Sequence, residues 1–202
     1  MLPDSRNRIL GIDPGLNTTG YAVLEAGSTG PRLLEAGIIK SSEGSATGEM
    51  ADRLKSIYDG VVGVLAQYSP NALAVEQLYS HYDHPRTAIL MGHARGVIFL
   101  AGGQREIEVI SYASTQVKKT ITGSGRASKE QMQMAMLREF RLAAMPEPHD
   151  VADAMAIALC HYQQTPRFGS MGAGVNLPAS ATGVRVRLPK NLAKSVAEKA
   201  KV

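Results

Sequence analysis

Apolar residues alternate or run together in short stretches through the first forty positions, then shift to helical spacing. Residues 8–13, 19–26 and 31–40 read as three strands. Gly15, Gly20 and the turn at 28–31 join them closely enough to predict antiparallel pairing. Met50, Leu54, Ile57, Val61 and Leu65 then mark one face of a helix over 48–68. A short strand follows at 72–78, a largely apolar helix at 86–101, and a fifth strand at 107–111. Helices are predicted at 114–121, 128–143 and 150–164. Antiparallel strands followed by strand–helix units imply an α/β domain: one mixed five-stranded sheet with helices on both faces.

Three places break the apolar pattern with acids. ILGIDPGLNTTG opens as a buried strand and ends in Asp13. ALAVEQL is apolar until Glu76, and a buried unpaired carboxylate is costly. EPHDVADAMAIALCHY carries Asp150 and Asp153 on one face of a helix start. Each has an ordinary explanation. Asp favours turns, and acids in a first helical turn satisfy free N–H groups and the helix dipole. If strands one and four are parallel neighbours, however, Asp13 and Glu76 leave the sheet at one edge. Two carboxylates 4 Å apart repel by ~4 kcal/mol at an effective dielectric of ~20. Four together would hold protons or hard cations, with Mg²⁺ or Mn²⁺ suiting oxygen ligands.

Composition narrows the setting. The 202 residues suffice for one domain and a tail, with 44% hydrophobic and 20% charged residues. No apolar run reaches membrane-span length, and the N-terminal stretch has no signal-peptide core. The single cysteine, Cys160, lies in an apolar helical run, which predicts a buried thiol and a cytoplasmic protein. Charge is uneven: residues 166–202 carry seven Lys or Arg against one Glu. We therefore divide the chain into a domain at 1–165 and a basic, Gly/Ser-rich tail at 166–202, suited to an anionic partner.

GIDPGLNTTGYAV, AVEQLY, GHARGV, SYASTQVKKTITGSGRASKEQ and HDVADAMAIA occur in that order. Together they make residues 8–163 resemble the RuvC Holliday-junction resolvases, which have the RNase H-like fold. The resemblance implies catalytic, metal-binding roles for Asp13, Glu76, Asp150 and Asp153. It implies a homodimer that cuts four-way DNA junctions by paired symmetric nicks, using two Mg²⁺ ions per site with Mn²⁺ as a substitute. The products would carry 5′-phosphate and 3′-hydroxyl ends, and the RuvAB branch-migration complex would be a partner.

DNA contacts are expected from Lys118, Lys119, Arg126 and Lys129, which cluster around a permissive glycine loop. The resemblance matches Lys118 and Lys129 to the family's DNA-contacting lysines. It matches Tyr79 to an aromatic that stacks on an unpaired base at the crossover, with Tyr82 a second candidate in the same loop. His81 and His84 lie in the same loop, and His149 is read as a surface residue. The apolar excess of the 86–101 helix fits either a dimer face or burial within the domain. Rival functions are a phosphate-binding ATPase, from DPGLNTTG, a junction binder without catalysis, a shorter putative-resolvase family, and an RNA–DNA hybrid nuclease. The ATPase needs a second such domain, and the inactive binder would have an incomplete acid set.

Overall fold

The computed structural model describes residues 7–41, 48–78 and 85–165. Within them the sheet has five strands: β1 (Arg8–Asp13), β2 (Thr18–Gly27), β3 (Gly30–Lys40), β4 (Ala72–Glu76) and β5 (Glu108–Tyr112). Their spatial order is β3-β2-β1-β4-β5. The β1–β2 and β2–β3 pairs are antiparallel, and the β1–β4 and β4–β5 pairs are parallel. This is the expected mixed sheet. The proposed tail at 166–202 lies outside the described residues.

Alternation along the strands sorts the apolar residues into two cores. Leu10, Ile12, Val23, Leu73 and Val75 face α1 (Met50–Tyr68) and α2 (Pro85–Gln104). Ile9, Ala22, Leu24 and Ala74 face α3 (Ser114–Thr122), α4 (Lys129–Glu139) and α5 (His149–Gln164). Helices therefore cover both faces. No helix among the described residues is long and apolar enough to cross a membrane. Cys160 is fully buried on α5, and burial pushes its thiol up to about 11, as an inert core residue requires.

Most boundaries fall within two or three residues of the sequence expectation. The exception is α4, expected to reach 143 but ending at Glu139. Phe140 closes it, Arg141 takes a left-handed backbone at φ 50°, and the Leu142 N–H reaches back to the Leu137 carbonyl at 2.9 Å. That six-to-one closure is a backbone event with no hydrophobic signature. The other end of α4 is fixed by a reciprocal cap. Ser128 Oγ accepts from the Gln131 N–H at 3.2 Å, and Gln131 Oε1 accepts from the Ser128 N–H at 2.8 Å.

Candidate active site

Ile12 pairs with Val75 across the parallel β1–β4 junction, so Asp13 and Glu76 leave the sheet side by side. The helix bearing the other two acids comes unusually close. A Cβ on Gly11 would stand 2.3 Å from the Ala154 carbonyl oxygen, and one on Gly20 would stand 2.0 Å from that of Asp150. Only glycine permits these approaches. Gly20 is the register partner of Asp13, so the first turn of α5 rests directly beside the end of β1. Asp150 and Asp153 thus join Asp13 and Glu76 in one cleft of about 260 Å³.

Lys118 from α3 and Lys129 from α4 line the same cleft. Val117, Met132 and Ile157, all buried, form apolar lining behind them. Lys119 and Arg126 are exposed and stand outside the cleft lining. Lys118 and Lys119 are adjacent on a helix, so they project about 100° apart. Tyr79, His81, Tyr82 and His84 lie outside the described residues.

His149 is not simply a surface residue. It opens α5 half-buried, with its Nδ1 sealed from water and without a hydrogen-bond partner among the described residues. Lining residues that pattern reading missed include Ser114, an ordinary helix-start residue in the sequence.

The cleft carries more negative charge than its surroundings neutralise. Burial raises the Asp13 carboxyl to about 9, helped by repulsion from Glu76, a hydrogen bond shared with Glu76, and repulsion from Asp153 and Asp150. Burial also raises Asp153, with Glu76 adding to the rise and Lys129 and Lys118 opposing it. Asp13 therefore keeps its proton at neutral pH when nothing else supplies positive charge. The donor set is all carboxylate, which fits a hard divalent cation. Among the described residues, no three Asp, Glu, His or Cys side chains stand as a ready-made cage. An open cleft of this kind suits Mg²⁺, which keeps several waters and takes one or two carboxylates plus substrate phosphate.

Comparison with known proteins decides the family. The family model described as crossover junction endodeoxyribonuclease RuvC matches residues 9–161. The chain belongs to the RuvC family. A RuvC relative from Rhodopirellula baltica is 54% identical over 163 residues, covering 79% of this chain and 89% of the relative. The solved RuvC of Thermus thermophilus superposes with a TM-score of 0.67 at 32% identity, covering 76% of this chain and 92% of that one. A second T. thermophilus RuvC structure, in complex with a Holliday junction substrate, gives 0.66 at 29% identity, with 77% and 92% covered. The fold is thus the RNase H-like fold of RuvC. A yeast mitochondrial resolvase, Ydc2, shares that fold at 13% identity and a TM-score of 0.54.

Proposed function

We propose that this protein resolves four-way DNA junctions by hydrolysing a phosphodiester in each of two equivalent strands. The observation that carries the reading is the convergence of Asp13, Glu76, Asp150 and Asp153 in one cleft with Lys118 and Lys129, in a chain of the RuvC family. The junction-bound relative supports the substrate.

The four carboxylates would hold two Mg²⁺ ions, with Mn²⁺ able to replace them. Bound there, such ions supply an activated water and stabilise the leaving oxygen. The protein's own groups do the rest. Asp13, at the centre of the repulsion, would give up its proton to hold them. Lys118 and Lys129 orient the scissile phosphate against the acids and offset its charge. The apolar lining limits water to the open side. Cleavage on the leaving 3′ oxygen gives 5′-phosphate and 3′-hydroxyl ends that a ligase can rejoin.

Two identical cuts require two sites related by symmetry. The outer side of α2 fits that role. Ile89 and Leu100 are 61% and 53% exposed, and Gly96 between them has open space where a Cβ would stand. We assign this face to a homodimer. The basic segment after residue 165 and Tyr79 would add contacts to the junction, and a RuvAB-type branch-migration motor would deliver it. The setting would be the cytoplasm, where the cell's DNA and a reduced Cys160 are both at home.

The test is cleavage of a labelled synthetic four-way junction, beside linear duplex and an RNA–DNA hybrid, with Mg²⁺ and with EDTA. Paired nicks in the junction alone, lost in EDTA, are expected. Cutting of the hybrid instead would change the substrate. Binding without cutting would remove the enzyme assignment.

The two neighbouring lysines of α3 separate in the same assay. Lys118→Ala should lower single-turnover cutting by ~10²-fold, the lower range for losing one preorganised charge donor. Lys119→Ala should leave single-turnover cutting intact and only flatten the salt dependence of binding. Equal losses in both variants would count against the assignment of Lys118 to the scissile phosphate.

A further inference from the structure

Arg95 interrupts the apolar middle of α2, next to Ala94, which is fully buried. Its side chain turns to the sheet edge where the acids emerge. Nε donates to the backbone carbonyl of Glu76 at 3.1 Å, and a terminal nitrogen donates to Ser111 Oγ. The guanidinium carbon lies 4.2 Å from the centre of the Phe99 ring. Ser111 stands in β5 opposite Val75, the residue before Glu76.

The bond to Glu76 is informative because of what holds the other end of the same peptide. The N–H of Gln77 donates to the Tyr112 carbonyl at 2.8 Å. The peptide that follows the Glu76 Cα is thus held at its carbonyl by Arg95 and at its N–H by β5. Strand ends ordinarily fray, since the ladder stops there. Here the ladder is continued for one more peptide by a side chain from the neighbouring helix. The planar fork of arginine can reach both acceptors while its face stacks on Phe99. Both acceptors are uncharged, so the contact is no charge-neutralising pair. Packing α2 on β4 and β5 would be served by an apolar side chain without the cost of desolvating a guanidinium.

We propose that Arg95 is a positioning residue. By fixing the Glu76 backbone it sets the direction in which the Glu76 carboxylate enters the cleft, and so the affinity of the cleft for a divalent cation. The inference rests on the reading of the four acids as a metal site. Partners that orient ligands commonly change metal affinity 10–100-fold when lost.

The experiment measures Mn²⁺ binding without DNA, by the electron paramagnetic resonance signal of free Mn²⁺. It compares the unmodified protein with Arg95→Ala, Arg95→Lys and Ser111→Ala. Thermal unfolding and junction affinity in EDTA are recorded alongside. Arg95→Ala should bind Mn²⁺ ~10–100-fold more weakly. Arg95→Lys should fall between, because one ammonium cannot span both acceptors while stacked. Ser111→Ala should shift affinity in the same direction by less. Junction affinity in EDTA should not move.

Unchanged Mn²⁺ affinity in a folded Arg95→Ala, whatever its melting temperature, would make Arg95 a tether only and overturn the proposal. If that variant fails to fold, unshifted affinity in both Arg95→Lys and Ser111→Ala overturns it equally. Failure of the unmodified protein to bind Mn²⁺ would instead remove the metal reading and, with it, this inference.

Discussion

Asp13→Asn should abolish junction cutting while leaving junction binding intact, and it should make the metal-free protein more stable. The two effects have one origin. The Asp13 carboxyl is raised to about 9, with burial as the largest cause and the other three acids contributing. A cation in the cleft would relieve that repulsion, and on the proposed function Asp13 would be where metal and proton compete. Asn keeps the shape and still donates to Glu76, but it has no anionic oxygen for a metal. Losing ~4 kcal/mol of transition-state charge stabilisation is ~10³ in rate, which a single-turnover junction assay would show as loss of product.

The stability effect has a definite sign. The folded carboxyl has a higher pKa than the unfolded one, so the folded state holds a proton that the unfolded chain releases. The stabilisation from that proton is full below about pH 4 and drains away as pH rises towards about 9. Asparagine has no such dependence. Without metal at pH 8, about four units above the unfolded carboxyl's value, Asp13→Asn should gain up to ~5 kcal/mol. That corresponds to as much as ~10–20 °C in Tm for a chain of this size. At pH 4 the gain should vanish. A gain of equal size at both pH values would mean that packing, and not charge, separates the two side chains. Retained cutting would remove Asp13 from the site.

Gly20→Ala should damage both stability and the cleft, although the glycine carries no chemistry. Its Cβ would stand 2.0 Å from the Asp150 carbonyl oxygen and 3.1 Å from the Asp150 Cβ. The nearer obstacle is backbone, so no side-chain rotation relieves it. Either β2 or the first turn of α5 must move. The cost should be ~3 kcal/mol, at the upper end for overpacking, or ~6–12 °C in Tm. Because that turn carries Asp150 and Asp153, divalent-ion binding by the surviving folded protein should weaken as well. Gly63→Ala is the control, since its Cβ meets nothing within 4 Å at an exposed position of α1. It should be neutral or stabilising by up to ~1 kcal/mol. Similar melting temperatures for Gly20→Ala and the unmodified protein would show that α5 is not seated on β2 as described.

Much of this arrangement was legible beforehand, and the limits are instructive. Asp13 and Glu76 stood out because acids interrupt short apolar runs, and the structure places each at the last position of its strand. Asp150 and Asp153 were visible only as acids at a helix start, where capping is an equally good account. The short-range pattern could not reveal that Lys118 enters the cleft and Lys119 does not. That depends on the rotation of α3 about its own axis against the sheet. Arg95 lay within a quoted motif, GHARGV, but its acceptors are 16 and 19 residues away in sequence, on two strands.

By itself the sequence determined the elements, their order and the acids at their ends. Those properties arise from side-chain periodicity, turn chemistry and the cost of burying charge, all of which act between near neighbours. It also determined the family, because the ordered motifs carry that information without any geometry. Tertiary structure alone decided the chemistry of the cleft. Asp13 and Asp153 are remote in sequence and meet only because glycines at 11 and 20 let α5 lie against the β1 and β2 backbones. The raised Asp13 carboxyl follows from that contact, the choice of one lysine over its neighbour from the seating of α3, and the hold of Arg95 on Glu76 from the packing of α2 on the opposite face. Each is a sum over groups brought together by the fold, which no local pattern encodes.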